Sequence, residues 1–226
     1  MEGLGSNIGR LAKSGFLYLI TNRKLFHNEQ AFLDAIEAAL KAGVDIVQLR
    51  EKDLDTLSLF RLSQKLKTLT TRYKALLLIN DRIDIALATK ADGVHLPGNG
   101  LPTEIARKLL GENAIIGRST HSLEEVKREQ GLGADFLTFS PIFYTKSKAK
   151  YGDPQGLSRL KDICRFSHIP IAALGGINKD NVISALSVGA KGVALISAIL
   201  GSDNPFLSAT EIKGLIKNFF KYNNAL

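Results

Sequence analysis

The stretch that decides the predicted fold is AALGGINKDN, residues 172–181, together with VALISAI, residues 193–199. The first run predicts a short buried strand that Gly175 and Gly176 end without side chains, and Asn178 is placed to cap the following helix. A glycine turn that enters a helix exposes backbone N–H groups, which suits a phosphate. In a (β/α)8 barrel the phosphate site commonly follows strands seven and eight, so the pattern predicts six earlier units.

A repeated junction supplies those units. Four times a helical pattern ends in a small-residue turn and enters an apolar strand: KAGVDIVQL, TKADGVHL, GLGADFLTF and VGAKGVALI. Such junctions are typical of alternating units that build a parallel sheet through right-handed crossovers. The predicted strands are 16–21, 44–49, 75–80, 93–96, 114–117, 136–139, 171–174 and 193–196. The predicted helices are 28–41, 56–72, 83–89, 103–110, 123–132, 156–166, 179–188 and 206–222.

Eight near-equal units predict an α/β fold, a (β/α)8 TIM barrel, in one domain over residues 16–226. Residues 1–15 are predicted to be an N-terminal arm, either a mobile terminus or a short lid helix. Strands that are continuously apolar are buried on both faces, as in a barrel. An open doubly wound sheet is the alternative, although it seldom needs eight equal units. The polar loop 140–155 is longer than usual and is expected to serve the substrate.

Composition narrows the function classes. The 226 residues suffice for one sizeable domain, and the net charge of +8 favours anionic ligands. We predict no nucleic-acid partner, because no basic run is interleaved with aromatic residues. The single Cys164 excludes an intramolecular disulfide. We also expect no membrane partner and a cytoplasmic location, since the sequence has neither a long apolar run nor a signal segment.

In a barrel, the residues just past each strand share one rim. The predicted rim is polar and basic, and comprises Thr21, Gln48, Arg50, Lys52, Asn80, Asp81, His95, Ser119, His121, Thr145, Lys146, Ser147, Lys148, Gly175, Gly176, Ile196 and Ser197. Cationic side chains stabilise a departing phosphate, hydroxyl and glycine N–H groups hold its oxygens, and a carboxylate retains a hard cation. The acidic position well placed for a metal is Asp81. The rim therefore predicts a phosphorylated or pyrophosphorylated substrate with Mg²⁺.

Each rim position also has a plainer interpretation. Residues 48–52 are consistent with a surface turn whose charges pair, and Asn80 and Asp81 with a helix cap. His95 follows apolar residues, as a core histidine would, and His121 is consistent with a position just before a capping box. The prediction of a site therefore depends on many positions converging.

The ordered motifs QLREK, INDR, ADGVHL, IGRSTHS, GADF, SPIFYTKSK, ALGGI and GVALISAI resemble the thiamin phosphate synthase / TenI family over about residues 16–200. Each motif alone is weak, but jointly they are specific. The resemblance implies a (β/α)8 barrel and a role in thiamin biosynthesis. The synthase joins hydroxymethylpyrimidine pyrophosphate to thiazole phosphate and releases pyrophosphate with the help of Mg²⁺.

The resemblance also implies roles for individual residues. The positions that match the pyrimidine pyrophosphate site are Gln48, Arg50, Lys52 and Asn80, with Asp81 as a Mg²⁺ ligand. The positions that match phosphate contacts are Ser119, Lys148 and the T-x-T-K loop at Thr145 and Ser147, in which serine replaces the second threonine. Those that match the thiazole phosphate site are Gly176, Ile196 and Ser197. The implied catalytic residues are Lys52, Lys148 and His121.

One departure from the family pattern leaves other functions open. The synthase has a run like HLGQED after the fourth strand, whose last aspartate is a second Mg²⁺ ligand, whereas this chain has HLPGNG with Gly100 there. Without that carboxylate the departing charge is less neutralised. HLPGNGLP and IGRSTHSLEE are more similar to the TenI branch, whose thiazole tautomerase needs no metal and would use His121 as acid or base. A non-catalytic binder of thiamin intermediates is the third possibility, and the family implies a homo-oligomer.

Overall fold

Eight parallel strands that pair in chain order form a closed barrel in the computed structural model, which describes residues 4–145 and 153–223. The strands are β1 (Phe16–Ile20), β2 (Ile46–Leu49), β3 (Leu76–Asn80), β4 (Gly93–Leu96), β5 (Ile115–Thr120), β6 (Phe136–Phe139), β7 (Ile171–Leu174) and β8 (Gly192–Leu195). Phe16 pairs with Gly192, which closes β1 onto β8. The predicted TIM barrel is confirmed, and the open sheet is wrong.

Helices surround the barrel in alternation with the strands. They are α1 (Leu4–Ser14), α2 (Glu29–Lys41), α3 (Thr56–Arg72), α4 (Ile83–Thr89), α5 (Thr103–Leu110), α6 (Leu123–Gly131), α7 (Gly156–Phe166), α8 (Val182–Ser187), α9 (Ser197–Leu200) and α10 (Pro205–Asn223). A short 3-10 helix, Arg23–Leu25, precedes α2. This turn and α9 were not predicted, because neither is long enough to display a helical period.

Polar side chains begin several helices where the sequence places them. The side chains of Asn28, Asp55 and Ser122 each accept a hydrogen bond from a backbone N–H in the first turn of α2, α3 and α6. Asn178 does not cap α8 as predicted, because its side chain accepts from the N–H of Asp180 and the helix begins only at Val182. The extra residues form a turn that separates the glycine pair from the helix.

Helix α1 lies at the end of the barrel opposite the predicted rim. Its Ile8 is 1% exposed and packs inside the barrel, with Leu11 against the same cluster. Leu11 also lines a cavity with Asp45 and Leu76, which stand at the amino ends of β2 and β3. The helix therefore plugs the bottom of the barrel, and a lid over the rim is wrong. The domain boundary between residues 15 and 16 stays a prediction.

Large aromatic side chains fill the barrel next to residues that have no side chain. Phe136 packs edge-on against Tyr18 with ring centroids 5.6 Å apart, and His95 lies 5.9 Å from the same Phe136 ring. A Cβ at Gly117 would lie 2.5 Å from Phe136 and 2.6 Å from His95 Nδ1. Gly117 therefore leaves the space that these two rings occupy.

We expect Gly117→Ala to destabilise the protein by about 1–3 kcal/mol, because the added methyl group overpacks the barrel interior. Urea denaturation measures the change. The matched control is Gly214→Ala in α10, where the added Cβ meets nothing within 4 Å and alanine should stabilise the helix by about 0.5–1 kcal/mol. Equal stability of Gly117→Ala and the parent would contradict this packing.

Candidate active site at the carboxyl ends of the strands

A polar layer replaces the apolar interior where the strands reach their carboxyl ends. Gln48 and His95 are buried, Asn80 is nearly so, and Ser119 is half-buried. Their strands are neighbours in the barrel, with Asn80 paired to His95 in β3 and β4. The barrel therefore gathers residues that lie far apart in the sequence around one mouth, as predicted.

The turn after β2 presents two cations and buries the acid between them. Arg50 and Lys52 are exposed, whereas Glu51 is 5% exposed. Within residues 4–145 and 153–223, no carboxylate lies within ion-pair distance of Arg50 or Lys52. Their positive charges thus remain available to an anion, and the surface turn with paired charges is wrong for these two residues.

Glu51 ties this turn to the loop after β1. One carboxylate oxygen accepts from the N–H of Arg23 at 2.9 Å, and the Thr21 side chain bonds to the same carboxyl. The Thr21 hydroxyl oxygen in turn accepts from the N–H of Arg50 at 2.9 Å. Burial raises the pKa of Glu51, against the hydrogen bonds from Thr21 and Arg23. Glu51 thereby fixes the turn that carries Arg50 and Lys52.

We expect Glu51→Gln to flatten the dependence of stability on pH. Because the pKa of Glu51 is higher in the folded than in the unfolded chain, the folded state binds the proton more tightly and is favoured at low pH. This contribution is lost as the pH rises from about 4.3, the unfolded value, through the raised folded value. The free energy of unfolding, measured from pH 4 to 7, should therefore fall less in the variant. An identical slope in both proteins would contradict the assignment.

Asp81 lies exposed on the rim after β3, beside Arg82. Its φ of 66° lies in the left-handed region, its N–H donates to the carbonyl of His95 at 3.0 Å, and its side chain is exposed. The N-cap of α4 is Arg82, without a side-chain cap hydrogen bond, so a helix-cap role for Asn80 or Asp81 is wrong. The exposed carboxylate is therefore accessible from the mouth.

Gly100 lies directly against that carboxylate. A Cβ at this position would be 2.7 Å from Asp81 Oδ1, so any side chain at residue 100 would meet Asp81. The position expected for a second metal ligand is thus adjacent to the first, but Gly100 provides no side-chain carboxylate there. Across the described ranges 4–145 and 153–223, no group of three or more His, Cys, Asp or Glu side chains could hold a metal ion.

Arg118 fixes the loop that carries Gly100. It is 4% exposed, and its guanidinium donates to the carbonyls of Leu101 at 2.7 Å and Gly98 at 3.2 Å. Its Nε lies 3.6 Å from the buried Glu129, which also accepts from the Thr103 hydroxyl at 2.6 Å. The sequence reasoning missed this residue, although an arginine inside the apolar strand IIGRST was a signal of a buried charge.

His121 follows β5 at the edge of the mouth. Its Nδ1 lies 2.8 Å from the carbonyl of Ser140, which can only accept, so Nδ1 carries a proton and donates. Only half of the capping box expected after it is observed: Ser122 accepts from the N–H of Glu125, but the Glu125 carboxylate accepts from the N–H of His121 instead of that of Ser122. Glu125 reaches back to the N–H of His121 at 2.6 Å. The imidazole is therefore oriented with Nε2 directed away from this anchor, as an acid or base requires.

The glycine turn after β7 packs under the start of the long loop after β6. Gly176 has a φ of 66°, and a Cβ there would lie 2.6 Å from the carbonyl of Tyr144. The N–H of Phe143 donates to the carbonyl of Gly175 at 3.0 Å. Ile196 and Ser197 follow β8, and Ser197 begins α9. The glycine turn after β7 and the residues after β8 are therefore neighbours, because these two strands pair. Thr145 comes directly after Tyr144, which contacts the glycine turn.

Three rim predictions lie outside the described residues: Lys146, Ser147 and Lys148. Cys164 is partly buried in α7, and burial raises the pKa of its thiol to about 12, which agrees with a structural residue rather than a nucleophile. His168 lies just before β7, at the opposite end of the barrel, whereas His27 is exposed in the segment between β1 and α2. The described site thus contains all the other predicted rim positions.

Comparison with known proteins places the chain in a family. Residues 17–199 match the family described as thiamine monophosphate synthase. The chain belongs to this family. A putative thiamine-phosphate synthase of Geobacter sulfurreducens is 47% identical over 91% of this chain and 97% of its own length. The thiamine-phosphate synthase of Clostridium novyi is 43% identical over 83% of this chain and 92% of its length.

A solved structure agrees with this membership. The thiamine phosphate pyrophosphorylase of Pyrococcus furiosus is 35% identical, with a TM-score of 0.84 over 92% of this chain and 98% of that chain. The predicted family and barrel are therefore confirmed. Separately, a search of the described helices found none with the length and apolar character of a membrane span.

Proposed function

We propose that the chain is a thiamin phosphate synthase, a transferase that joins hydroxymethylpyrimidine pyrophosphate to thiazole phosphate and releases pyrophosphate. The observation that carries the proposal is the convergence of Gln48, Asn80, Asp81 and Ser119 on one mouth, next to the exposed cations Arg50 and Lys52. Relatives with this name match over nearly their whole length. A transferase of thiamin biosynthesis is therefore the enzyme class supported.

The rim supplies what a departing pyrophosphate needs. Arg50 and Lys52 place positive charge where the leaving group accumulates negative charge, and preorganised charges of this kind stabilise a transition state without rearrangement. Gln48 and Asn80 present amides from the barrel interior to the pyrimidine. Ser119 offers a hydroxyl to a phosphate oxygen. The bond between the pyrimidine methylene carbon and pyrophosphate breaks first with both electrons leaving on pyrophosphate, and the lone pair of the thiazole nitrogen then captures the resulting pyrimidine cation.

A magnesium ion fits this mouth with one protein carboxylate as its ligand. Mg²⁺ commonly binds through one or two carboxylates while keeping water and substrate phosphate oxygens as its other ligands. Asp81 is the carboxylate that would hold it, and Gly100 leaves the adjacent position without a second one. The ion would neutralise charge on the pyrophosphate. Arg50 and Lys52 provide a second source of positive charge on the same side of the mouth.

The thiazole phosphate is assigned to the opposite side of the mouth, at Gly176, Ile196 and Ser197. The glycine turn and the first residue of α9 lie after neighbouring strands, where backbone N–H groups can approach a phosphate closely. Thr145, Ser147 and Lys148 match the family's phosphate contacts and are assigned to the substrate phosphates on that resemblance. Their roles stay part of the proposal.

A thiazole tautomerase is the second candidate, because the Nδ1 anchor on Ser140 leaves the Nε2 of His121 as the reactive nitrogen. Isomerisation of thiazole phosphate carboxylate moves a proton and needs no metal. If this is the activity, His121→Ala abolishes isomerisation and EDTA has no effect. The synthase instead needs Mg²⁺ and both phosphorylated precursors.

The test is a side-by-side assay of both reactions, with Mg²⁺ and with EDTA, on protein shown to be folded by circular dichroism. Formation of thiamin phosphate that EDTA abolishes is the expected result. Isomerisation without thiamin phosphate formation would overturn the synthase in favour of the tautomerase. Tight binding of thiazole phosphate by calorimetry, with neither product, would support a non-catalytic binder instead.

The remaining parts of the proposal concern partners and location. The partners are the phosphorylated pyrimidine and thiazole, without nucleic acid or membrane, and the enzyme is a cytoplasmic homo-oligomer. Exposed apolar side chains on adjacent helices, among them Leu87 in α4 and Leu109 in α5, are compatible with subunit contact. Sedimentation equilibrium tests the oligomer, and a monomer at all concentrations would exclude it.

A further inference from the structure

A chain of hydrogen bonds crosses the barrel beneath the mouth. Gln48 Nε2 donates to the Tyr18 hydroxyl oxygen at 2.6 Å, and the same oxygen lies 3.1 Å from His95 Nδ1. His95 Nε2 lies 3.0 Å from Ser119 Oγ. Tyr18 and His95 are buried, so these hydrogen bonds lie inside the barrel. The chain joins a residue assigned to the pyrimidine with one assigned to a phosphate.

The chemistry of each link sets the direction of the protons. Because the Gln48 amide nitrogen can only donate, the Tyr18 oxygen accepts there and its own proton goes to His95 Nδ1. A neutral imidazole that accepts at Nδ1 carries its proton on Nε2, which then donates to Ser119. The Ser119 hydroxyl oxygen accepts from His95 Nε2, so its own proton remains available to an acceptor at the mouth.

We propose that Tyr18 and His95 are positioning residues, which hold this direction so that Ser119 donates its hydroxyl proton to the anionic substrate. The inference rests on the proposed function for the identity of that substrate. Phosphate oxygens only accept hydrogen bonds, so the direction decides whether Ser119 attracts or repels them. In the reverse direction Ser119 donates to His95 and offers only lone pairs to the substrate.

The surroundings of the chain support a neutral histidine. Burial lowers the pKa of His95 to about 3, and the charges of Arg118 and Arg50 act in the same direction. Burial also raises the pKa of Tyr18, so the phenol keeps its proton. Thr138 Oγ1 is 3.5 Å from His95 Nε2, farther than Ser119, which leaves Ser119 as the closer partner of that nitrogen.

The first experiment reads the tautomer of His95 directly. Imidazole ¹⁵N chemical shifts distinguish a protonated from an unprotonated nitrogen, and comparison with His95→Gln identifies the signals among the four histidines. We expect the proton on Nε2 in the wild-type protein. A proton on Nδ1 would overturn the proposal. This measurement needs no turnover, so it remains decisive even if the proposed synthase activity proves absent.

The second experiment separates positioning from folding. Tyr18→Phe should raise the KM for the pyrimidine pyrophosphate about tenfold, the value of one hydrogen bond to a charged group, and leave the KM for thiazole phosphate unchanged. Ser119→Ala should do the same, and the double variant should lose little more. Additive losses, or an unchanged KM in Tyr18→Phe, would overturn the proposal.

Two further variants complete the design. His95→Gln keeps an amide donor near the position of Nε2 and should retain most of the affinity, whereas His95→Leu, which has no donor, should match Ser119→Ala. The control is Thr89→Val, which removes a buried hydroxyl bonded to Ser63 at 2.9 Å between α3 and α4. It should lower stability without changing either KM. A KM shift in this control equal to that of Tyr18→Phe would attribute the effect to general destabilisation and overturn the proposal.

Discussion

Asp81→Asn is expected to lower kcat/KM for thiamin phosphate formation by about two to three orders of magnitude, the usual effect of removing one preorganised charge from a transition state. Asp81 is the carboxylate that the mouth offers to Mg²⁺, and Gly100 cannot replace it. Asparagine tolerates the left-handed φ of 66° and keeps the side-chain volume, so the variant removes only the charge. Steady-state kinetics over a series of Mg²⁺ concentrations measure the loss.

The matched control is Asp84→Asn, in the first turn of α4. The Asp84 carboxylate accepts from Arg82 at 2.6 Å. The substitution therefore changes the net charge by the same amount as Asp81→Asn, three residues away, without reaching the substrate. It should retain activity within about threefold, since exposed ion pairs contribute little. If Asp81→Asn also kept full activity with an unchanged Mg²⁺ dependence, the assignment of Asp81 to the metal would be wrong.

Arg118→Met is expected to destabilise the protein by about 3–5 kcal/mol, because it breaks a buried ion pair and removes the donor of two loop carbonyls. Glu129 is 2% exposed and would lose its buried counterion, while the carbonyls of Gly98 and Leu101 would lose their donor. Methionine keeps the length of the arginine stem. Urea denaturation with an unchanged m value measures the loss.

Arg128 provides the control for this prediction, since it contacts the same glutamate from the surface. Its Nε lies 2.9 Å from Glu129, but 57% of its side chain is exposed, against 5% for Arg118. Arg128→Met should therefore cost less than about 1 kcal/mol. Adding Glu129→Gln to Arg118→Met should restore part of the stability, because it removes the stranded charge. Equal losses in the two single variants would refute the role of burial.

Local patterns were sufficient to predict most of the fold. The apolar run Phe136–Phe139 and the glycine-led Gly93–Leu96 were each predicted with their exact bounds, because a strand buried on both faces leaves a continuous apolar signal. The predicted bounds of the helix at Val182–Ser187 were less accurate, since the same polar residues are common in a loop turn and in the first turn of a helix. The position of helix α1 was not predictable, because the end of the barrel against which it packs is decided by the tertiary structure.

The candidate site was predicted as a set of positions and not as a set of contacts. Barrel topology places residues after strands on one rim, which made Lys52, Asp81 and Gly176 predictable. That Gly100 lies against Asp81 follows from the path of a loop, which the sequence does not specify. The buried Glu51 between two exposed cations was missed for the same reason, since charged residues in a turn are ordinarily exposed.

The sequence by itself determined the order of eight strand and helix units, the family, and the chemical types gathered at the mouth, because period, turn residues and motifs are local properties. Only the tertiary structure decided which of those groups touch. Tyr18 and His95 are 77 positions apart, and Arg118 reaches carbonyls 17 and 20 positions away. Such partners meet because a closed barrel brings distant strands side by side and excludes the water that would otherwise satisfy them.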